Sequence, residues 1–177
     1  MTNTYLVHAR EFLTTNAEAL DRLYERQNVI KWRNFCNDHG LEFNSGETRI
    51  AIIGEDFVIK IDKKNIGNWA RFGNCYQEYK NWQMVKADGY DYMFAAITKM
   101  KGGHHYYYVM PKVNTNHGLG VWAHDLEDLS DEEQEYLLDH FADLHEHNYG
   151  FDDYGCLQIF DYAVTYEYMF AHMGKVC

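Results

Sequence analysis

The chain has 177 residues, 46% hydrophobic and 16% aromatic, which is enough apolar material for at least one domain with a buried core. Its 16 basic and 27 acidic residues give a net charge of −11, which argues against binding nucleic acid through its phosphates. The sequence has no apolar run of about 18 residues and no signal-peptide pattern, so we expect a cytoplasmic protein without a membrane span.

The first forty residues read as helix. Apolar side chains recur at helical spacing over residues 4–38, with a break near Thr14–Asn16. The polar segment Asn37–Gly40 is a typical helix stop. We therefore predict an N-terminal helical extension over residues 1–42.

The next section changes to a strand pattern. Thr48–Ile53 and Phe57–Ile61 are rich in β-branched residues and flank the short turn Gly54–Asp56, which predicts a β-hairpin. Lys60 stands inside the second strand among apolar neighbours. The simplest alternative for Lys60 is an edge position from which its ammonium group reaches water.

A second helix and two further strands follow. Large apolar residues spaced three to four apart predict a helix over residues 66–86, which contains Glu78. Met93–Ile97 and His105–Met110 are the expected strands, with Lys101–Gly103 as the turn between them. Pro111, the only proline in the sequence, is expected to end the second strand.

The last third is predicted to begin with a loop over residues 114–129. Ser130-x-x-Glu133 is a capping box that opens a helix. The buried stripe of that helix is expected to consist of Leu137, Leu138, Phe141 and Leu144. A hairpin over residues 149–160 turns at Asp152–Gly155, and the tail from Val164 onward is predicted to be helical.

One polar constellation stands out in this part of the chain. Asp143-Leu-His-Glu-His-Asn148 is followed by Asp161 at the end of an apolar run. Two carboxylates and an amide are hard oxygen ligands, which suit Mg²⁺ carrying nucleotide phosphates. The alternatives are a polar helix C-terminus for the 143–148 segment and a helix-capping role for Asp161.

The order of these motifs resembles the protein-kinase-like superfold, including its aminoglycoside and choline kinase branch. Phe57-Val-Ile-Lys60 is similar to the strand motif with the phosphate-contacting lysine, and Glu78 to its helix partner. Met110–Val113 matches the hinge between the lobes, and Asp143–Asn148 the catalytic loop. Asp161-Tyr-Ala163 stands where the family has Asp-Phe-Gly.

The resemblance implies a nucleotide site and an acceptor site. Lys60 would contact the phosphates of ATP, Glu78 would hold Lys60 charged and aimed, and Met110 would lie beside the adenine. Asn148 and Asp161 would ligate Mg²⁺.

At the acceptor, Asp143 would orient or deprotonate the accepting hydroxyl, and His145 could touch the transferred phosphate. We therefore expect an α+β protein with a minimal bilobal kinase-like fold. The expected parts are the N-terminal helical extension, an N-lobe over residues 43–113 and a reduced C-lobe over residues 114–177.

Several departures from the family pattern bear on activity. Only Ser45-Gly46 stands in place of the glycine-rich loop, and Asp161-Tyr-Ala lacks the usual glycine. Sixteen residues follow Asp161, so we expect a truncated C-lobe without a peptide-substrate platform. The expected function is Mg-ATP-dependent phosphoryl transfer to a small molecule or a docked protein. The alternative is an inactive kinase-fold module that binds or inhibits a protein, since such short chains resemble open reading frames of tailed phages with host proteins as partners.

Two further site hypotheses remain open. His140, His145 and His147, interleaved with Asp139 and Asp143, could bind a transition metal, although their spacing fits no common zinc motif. The acidic surface could bind a basic protein or mimic DNA, although most acidic proteins are simply soluble. The four cysteines show no CxxC spacing and are expected to be reduced thiols.

Overall fold

The computed structural model describes residues 3–46, 48–64, 74–115, 127–145, 147–167 and 169. In these ranges the chain combines helices with antiparallel sheet, so the predicted α+β class is confirmed. Two units can be distinguished, one of residues 1–79 and 96–112, the other of residues 80–95 and 113–177. No helix within the described ranges is both long and apolar enough for a membrane crossing.

The N-terminal section of the first unit is helical, as predicted. Its helices are α1 (Thr4–Thr15), α2 (Ala17–Arg26) and α3 (Val29–Asp38). The expected break falls at Asn16, and a second break, which the apolar spacing did not predict, falls at Gln27. Gln27 has a left-handed backbone with φ of 48°, and the side chain of Asn28 accepts a hydrogen bond from the Lys31 amide at 3.1 Å. This side-chain cap starts α3 immediately after the turn.

The described part of the first unit contains a five-stranded antiparallel sheet in the order β1-β2-β3-β5-β4. Its strands are β1 (Glu42–Ser45), β2 (Arg49–Ile53), β3 (Phe57–Asp62), β4 (Thr98–Gly102) and β5 (His105–Pro111). The predicted hairpin is confirmed as β2 and β3, and β5 ends at Pro111 as expected. Strand β1, at the edge of the sheet, was not predicted.

The strand expected over Met93–Ile97 is wrong. Residues Asp91–Met93 form a short 3-10 turn, and Phe94 makes only an isolated bridge, to Ile159. The true strand, β4, starts at Thr98. Apolar runs have no period of two, so they do not separate a buried extended segment from a strand, whereas β4 alternates between exposed lysines and the buried Met100.

The two faces of the sheet differ sharply. Residues Ile50, Ile52, Ile59, Ile61, Tyr107 and Val109 belong to one buried cluster with Ala9, Leu13, Leu20 and Trp32 of the helices. Because neighbouring strand residues point to opposite faces, the other face carries Arg49, Ala51, Lys60 and Asp62. The N-terminal helices therefore cover the apolar face of the sheet, and the charged residues lie on the opposite face.

Helix α4 (Cys75–Asp88) replaces the helix predicted over residues 66–86, of which residues 66–73 lie outside the described ranges. Its start is fixed by two side chains. The Cys75 amide donates to Asp62 Oδ1 at 2.7 Å, and the Gln77 amide donates to Asn74 Oδ1 at 2.7 Å. Asp62 thus ties the first turn of α4 to β3. Burial raises the pKa of the Cys75 thiol well above its ordinary value.

In the second unit, the capping box of Ser130 and Glu133 is present and opens helix α5 (Asp131–His140). The buried residues of α5 are Tyr136 and Leu137, and Phe141 just beyond it is also buried. Leu138, predicted to be buried, is exposed, because the adjacent Leu137 faces inward and consecutive helical residues lie about 100° apart.

The predicted hairpin of the second unit is confirmed as β6 (Tyr149–Phe151) and β7 (Leu157–Ile159). Gly155 in its turn has φ of 80°, a conformation that favours glycine. Residues 166, 167 and 169 are helical, in line with the predicted tail, while residues 170–177 lie outside the described ranges. The predicted loop at 114–129 lies largely outside them as well, from residue 116 to residue 126.

Candidate functional site

Lys60 and Glu78 form a buried ion pair in the first unit. Lys60 lies on β3, between β2 and β5, and is only 7% exposed, while Glu78 on α4 is fully buried. The Lys60 ammonium donates to Glu78 Oε1 at 2.7 Å. Lys60 is therefore not an edge lysine that reaches water, and the pair implied by the family resemblance is present.

Arg49 is a third member of this cluster that sequence reasoning missed. Its guanidinium Nη1 donates to Glu78 Oε2 at 2.9 Å, so one carboxylate binds two cations, one through each oxygen. The hairpin register pairs Ala51 with Lys60, which places Arg49, two residues earlier, on the same face. The predicted three-residue turn Gly54–Asp56 would pair Ile53 with Phe57, whereas the observed partner of Ile53 is Val58. Because a shift of one residue moves a side chain to the other face, the predicted turn did not identify Arg49.

The cluster is held by more than charge. A fully buried carboxylate is costly unless it is paired and hydrogen-bonded, and both Glu78 oxygens accept a hydrogen bond from a cation. Asp62, the cross-strand partner of Arg49, also anchors the helix that carries Glu78. The Lys60 ammonium is consequently fixed in position before any ligand binds.

In the second unit, the described residues of the predicted loop, 143–145, 147 and 148, lie beyond the end of α5 and are not helical. The ends of the loop are tied to the segment that follows β7. The Ala142 amide donates to the Val164 carbonyl at 3.1 Å, and the Phe160 amide donates to the Asn148 carbonyl at 2.9 Å. These backbone bonds bring the predicted loop and the neighbourhood of Asp161 together.

The side chain of Asn148 has a defined orientation. It is buried, and its Nδ2 donates to the Asp143 carbonyl at 2.8 Å. Because a carbonyl can only accept, the amide nitrogen faces Asp143 and the Oδ1 atom is turned away from it. The Asn148 side chain thus links the two ends of the 143–148 loop through Nδ2, and its Oδ1 atom points away from this bond.

The side chains of Asp143 and His145 face solvent. The Asp143 side chain is 58% exposed, and His145 Nε2 lies 3.8 Å from Asp143 Oδ1. The His147 amide donates to His145 Nδ1 at 3.2 Å, which orients the His145 ring. The Asp143 carboxylate is therefore accessible from bulk solvent.

Asp161 is half-buried, two residues after β7, and the two residues that follow it are bound by Asn81. Asn81 is a buried residue of α4 whose Nδ2 donates to the carbonyls of Tyr162 and Ala163, at 2.6 and 3.2 Å. The Tyr162 hydroxyl donates to the Ala95 carbonyl at 2.8 Å. Sequence reasoning missed Asn81, because a side chain that binds backbone about eighty residues away leaves no local pattern.

Replacing Asn81 with aspartate is expected to lower the free energy of unfolding by about 1–3 kcal/mol, because the variant presents an acceptor to two buried carbonyls. Urea denaturation would measure the loss. The matched control is Asn34→Asp, at an exposed helical position. Equal losses in the two variants would show that Asn81 does not hold the 161–163 segment.

Met110 is buried in β5 and pairs with Val58 on β3. Along the chain, one of the three boundaries between the two units falls between Lys112 and Val113, within the predicted hinge segment. The Lys112 amide donates to the Asp56 carbonyl at 2.9 Å. The contact of Met110 with adenine stays a prediction.

The histidines do not form a shared site in the described part of the chain. His140 Nδ1 contacts the Tyr136 carbonyl at 2.9 Å, and its ring stacks on the Tyr136 ring. Among described residues, no group of three or more His, Cys, Asp or Glu side chains is placed to hold a metal ion. A set made of one amide and one carboxylate, such as Asn148 and Asp161, is not a group of that kind.

No protein-family model and no curated protein matches the chain. Among solved structures it is similar to WbdD, described as a bifunctional kinase-methyltransferase, with 14% identity and a TM-score of 0.41 over 67% of this chain. A structure of WbdD at 2.2 Å gives 13% identity and a TM-score of 0.43 over 70% of this chain. The chain spans about a third of the length of these structures, 30% and 32%. At such scores the likeness does not decide the family.

Proposed function

We propose that the chain is a kinase-like phosphotransferase that uses Mg-ATP, with Lys60 as the phosphate-contacting cation. The buried ion pair of Lys60 with Glu78 is the observation that carries the proposal. In protein kinases a lysine of the third strand pairs with a helix glutamate and contacts the nucleotide phosphates. The same residue types occur here on the same kinds of element, and Glu78 aims the ammonium group.

The magnesium ligands in this proposal are Asn148 and Asp161. The orientation of the Asn148 amide supports the assignment, since Oδ1 is turned away from the Asp143 carbonyl. Carboxylate and amide oxygens are the protein ligands that Mg²⁺ accepts, and it keeps several waters besides them. Magnesium held there would neutralise charge on the ATP phosphates.

Asp143 is proposed to accept the proton of the attacking hydroxyl, and His145 to contact the phosphate that is transferred. The exposure of the Asp143 carboxylate supports this role, because the acceptor must reach it from solvent. The acceptor is proposed to be a small molecule or a docked protein. Met110 is proposed to lie beside the adenine.

Mg-ATP is expected to bind the protein and to raise its thermal stability, because a ligand that binds only the folded state stabilises it. At a concentration of 100 times Kd the gain is about 2.7 kcal/mol. Isothermal titration and thermal melting with Mg-ATP would measure both effects. The matched control is ATP in the presence of EDTA, which removes Mg²⁺. Under that condition the Asn148→Ala variant and wild-type protein are expected to bind ATP with the same affinity.

The absence of binding heat and of a thermal shift at millimolar Mg-ATP would contradict the proposed phosphotransferase function. It would favour the alternative predicted above, a non-catalytic binding module. Binding of Mg-ATP that is unchanged in Asn148→Ala would contradict the magnesium assignment alone.

A further inference from the structure

We infer that Arg49 is a second phosphate-contacting cation, which takes over the task that glycine amides perform in kinases. The inference rests on the function proposed above and adds a residue to that site. In protein kinases a glycine-rich loop covers the nucleotide phosphates. Here the connection between β1 and β2, residues 46–48, contains a single glycine, Gly46. Glycines allow a backbone to approach a ligand closely, and this stretch of sequence has one of them.

Arg49 is the first residue after this connection. Ser45 and Ile50 are the last paired residues of β1 and β2, so Arg49 lies directly beside the connection between these strands. Its side chain projects to the face of the sheet that carries Lys60. The position that lacks glycine amides is therefore followed directly by a guanidinium group.

The geometry places both cations at one carboxylate. Arg49 Nη1 and Lys60 Nζ contact the two oxygens of Glu78 at 2.9 and 2.7 Å. A phosphate chain that reaches the Lys60 ammonium therefore comes within reach of the Arg49 guanidinium as well. The Arg49 side chain is 15% exposed, so it is accessible at the edge of the cluster.

The Glu78 carboxylate holds both cations, one at each oxygen. The guanidinium of Arg49 has a planar set of five donors that matches phosphate oxygens. Lysine offers only a point charge, so the two residues would contact phosphate in different ways.

The test is the affinity of Mg-ATP for Arg49→Met, which keeps the apolar stem and removes the guanidinium. We expect Kd to rise about 10- to 100-fold, as for a lost hydrogen bond between charged groups. Arg49→Lys is expected to recover part of the loss. AMP, with one phosphate, is expected to lose less affinity than ATP. Titration calorimetry gives the ATP values, and displacement of a fluorescent ATP analogue gives those for AMP.

The matched control is Arg33→Met, an exposed arginine that lies over the Phe43 ring at 5.7 Å. It is expected to bind Mg-ATP as wild-type protein does. A Kd for Arg49→Met within threefold of wild type would overturn the inference while leaving the proposed function intact. An equal loss of affinity for ATP and AMP would also overturn it, because Arg49 would then affect binding by stabilising the structure and not by contacting the additional phosphates of ATP. If wild-type protein binds no Mg-ATP, the inference and the proposed function fail together.

Discussion

Replacing Glu78 with leucine is expected to lower the free energy of unfolding by about 3–5 kcal/mol, the typical cost of leaving a buried charge without its partner. Glu78 is fully buried, and its carboxylate binds both Lys60 and Arg49. Urea denaturation would measure the loss. The control is Glu42→Leu, which removes the exposed ion pair with Lys112 at 3.0 Å. That variant is expected to lose no more than about 1 kcal/mol.

The double variant Lys60→Met with Glu78→Leu separates stability from function. Buried ion pairs can often be replaced by apolar residues of similar volume at little cost, so we expect much of the lost stability to return. Arg49 loses its contact with Glu78 in that variant, so part of the loss is expected to remain. Mg-ATP binding is expected to be absent, because the lysine proposed to contact phosphate is gone.

A Glu78→Leu variant as stable as Glu42→Leu would show that the cluster is not a buried structural unit. A double variant that regained Mg-ATP affinity together with stability would contradict the phosphate-contacting role of Lys60. Thermal melting of the single variant Lys60→Met completes the cycle and gives the coupling energy between the two residues.

Local signals in the sequence predicted their elements well. The β2–β3 hairpin followed from β-branched residues around a short turn, and helix α5 followed from the capping box of Ser130 and Glu133. Lys60 was identified by its place inside that hairpin. Each of these signals depends on residues that are close together in the sequence, so it can be recognised without knowledge of the fold.

Features that depend on distant partners could not be predicted in the same way. Within the apolar run Met93–Ile97, residues 93–95 belong to the second unit and are buried there, where Phe94 and Ala95 contact Ile159. A buried apolar segment of this kind has the same sequence pattern as a buried strand. Asn81 is identified only by the carbonyls of Tyr162 and Ala163. The sequence likewise assigned no role to helices α1 to α3, which supply the apolar cover of the sheet.

Arg49 lies between these two cases. The hairpin itself was predicted, but its observed register, which places Arg49 on the Lys60 face, differs by one residue from that of the predicted turn. Nothing local showed that both cations would share Glu78. That contact depends on how α4 docks on β3, through the bond from the Cys75 amide to Asp62. The residues on one face of a hairpin thus follow from the exact strand register, whereas their partners on another element depend on packing.

Replacing Asp143 with asparagine is expected to lower the rate of phosphoryl transfer about 10²- to 10⁴-fold, the usual contribution of a general base. Mg-ATP affinity is expected to stay within twofold of wild type, since Asn148 and Asp161 are unchanged. Stability is also expected to hold, because the side chain is 58% exposed. The Asp143 atom that closes the loop is its backbone carbonyl, which the variant keeps.

ADP release from Mg-ATP, together with mass spectrometry of the protein for self-phosphorylation, would measure transfer to water or to the chain itself. The control is Asp139→Asn, an exposed aspartate on α5 whose loss removes the same charge. A wild-type rate of transfer in Asp143→Asn would contradict the proposal that Asp143 accepts the proton of the hydroxyl. A variant that loses Mg-ATP affinity as strongly as it loses rate would place Asp143 at the nucleotide rather than at the acceptor. The separation of rate from affinity therefore decides whether the exposed carboxylate acts on the incoming hydroxyl.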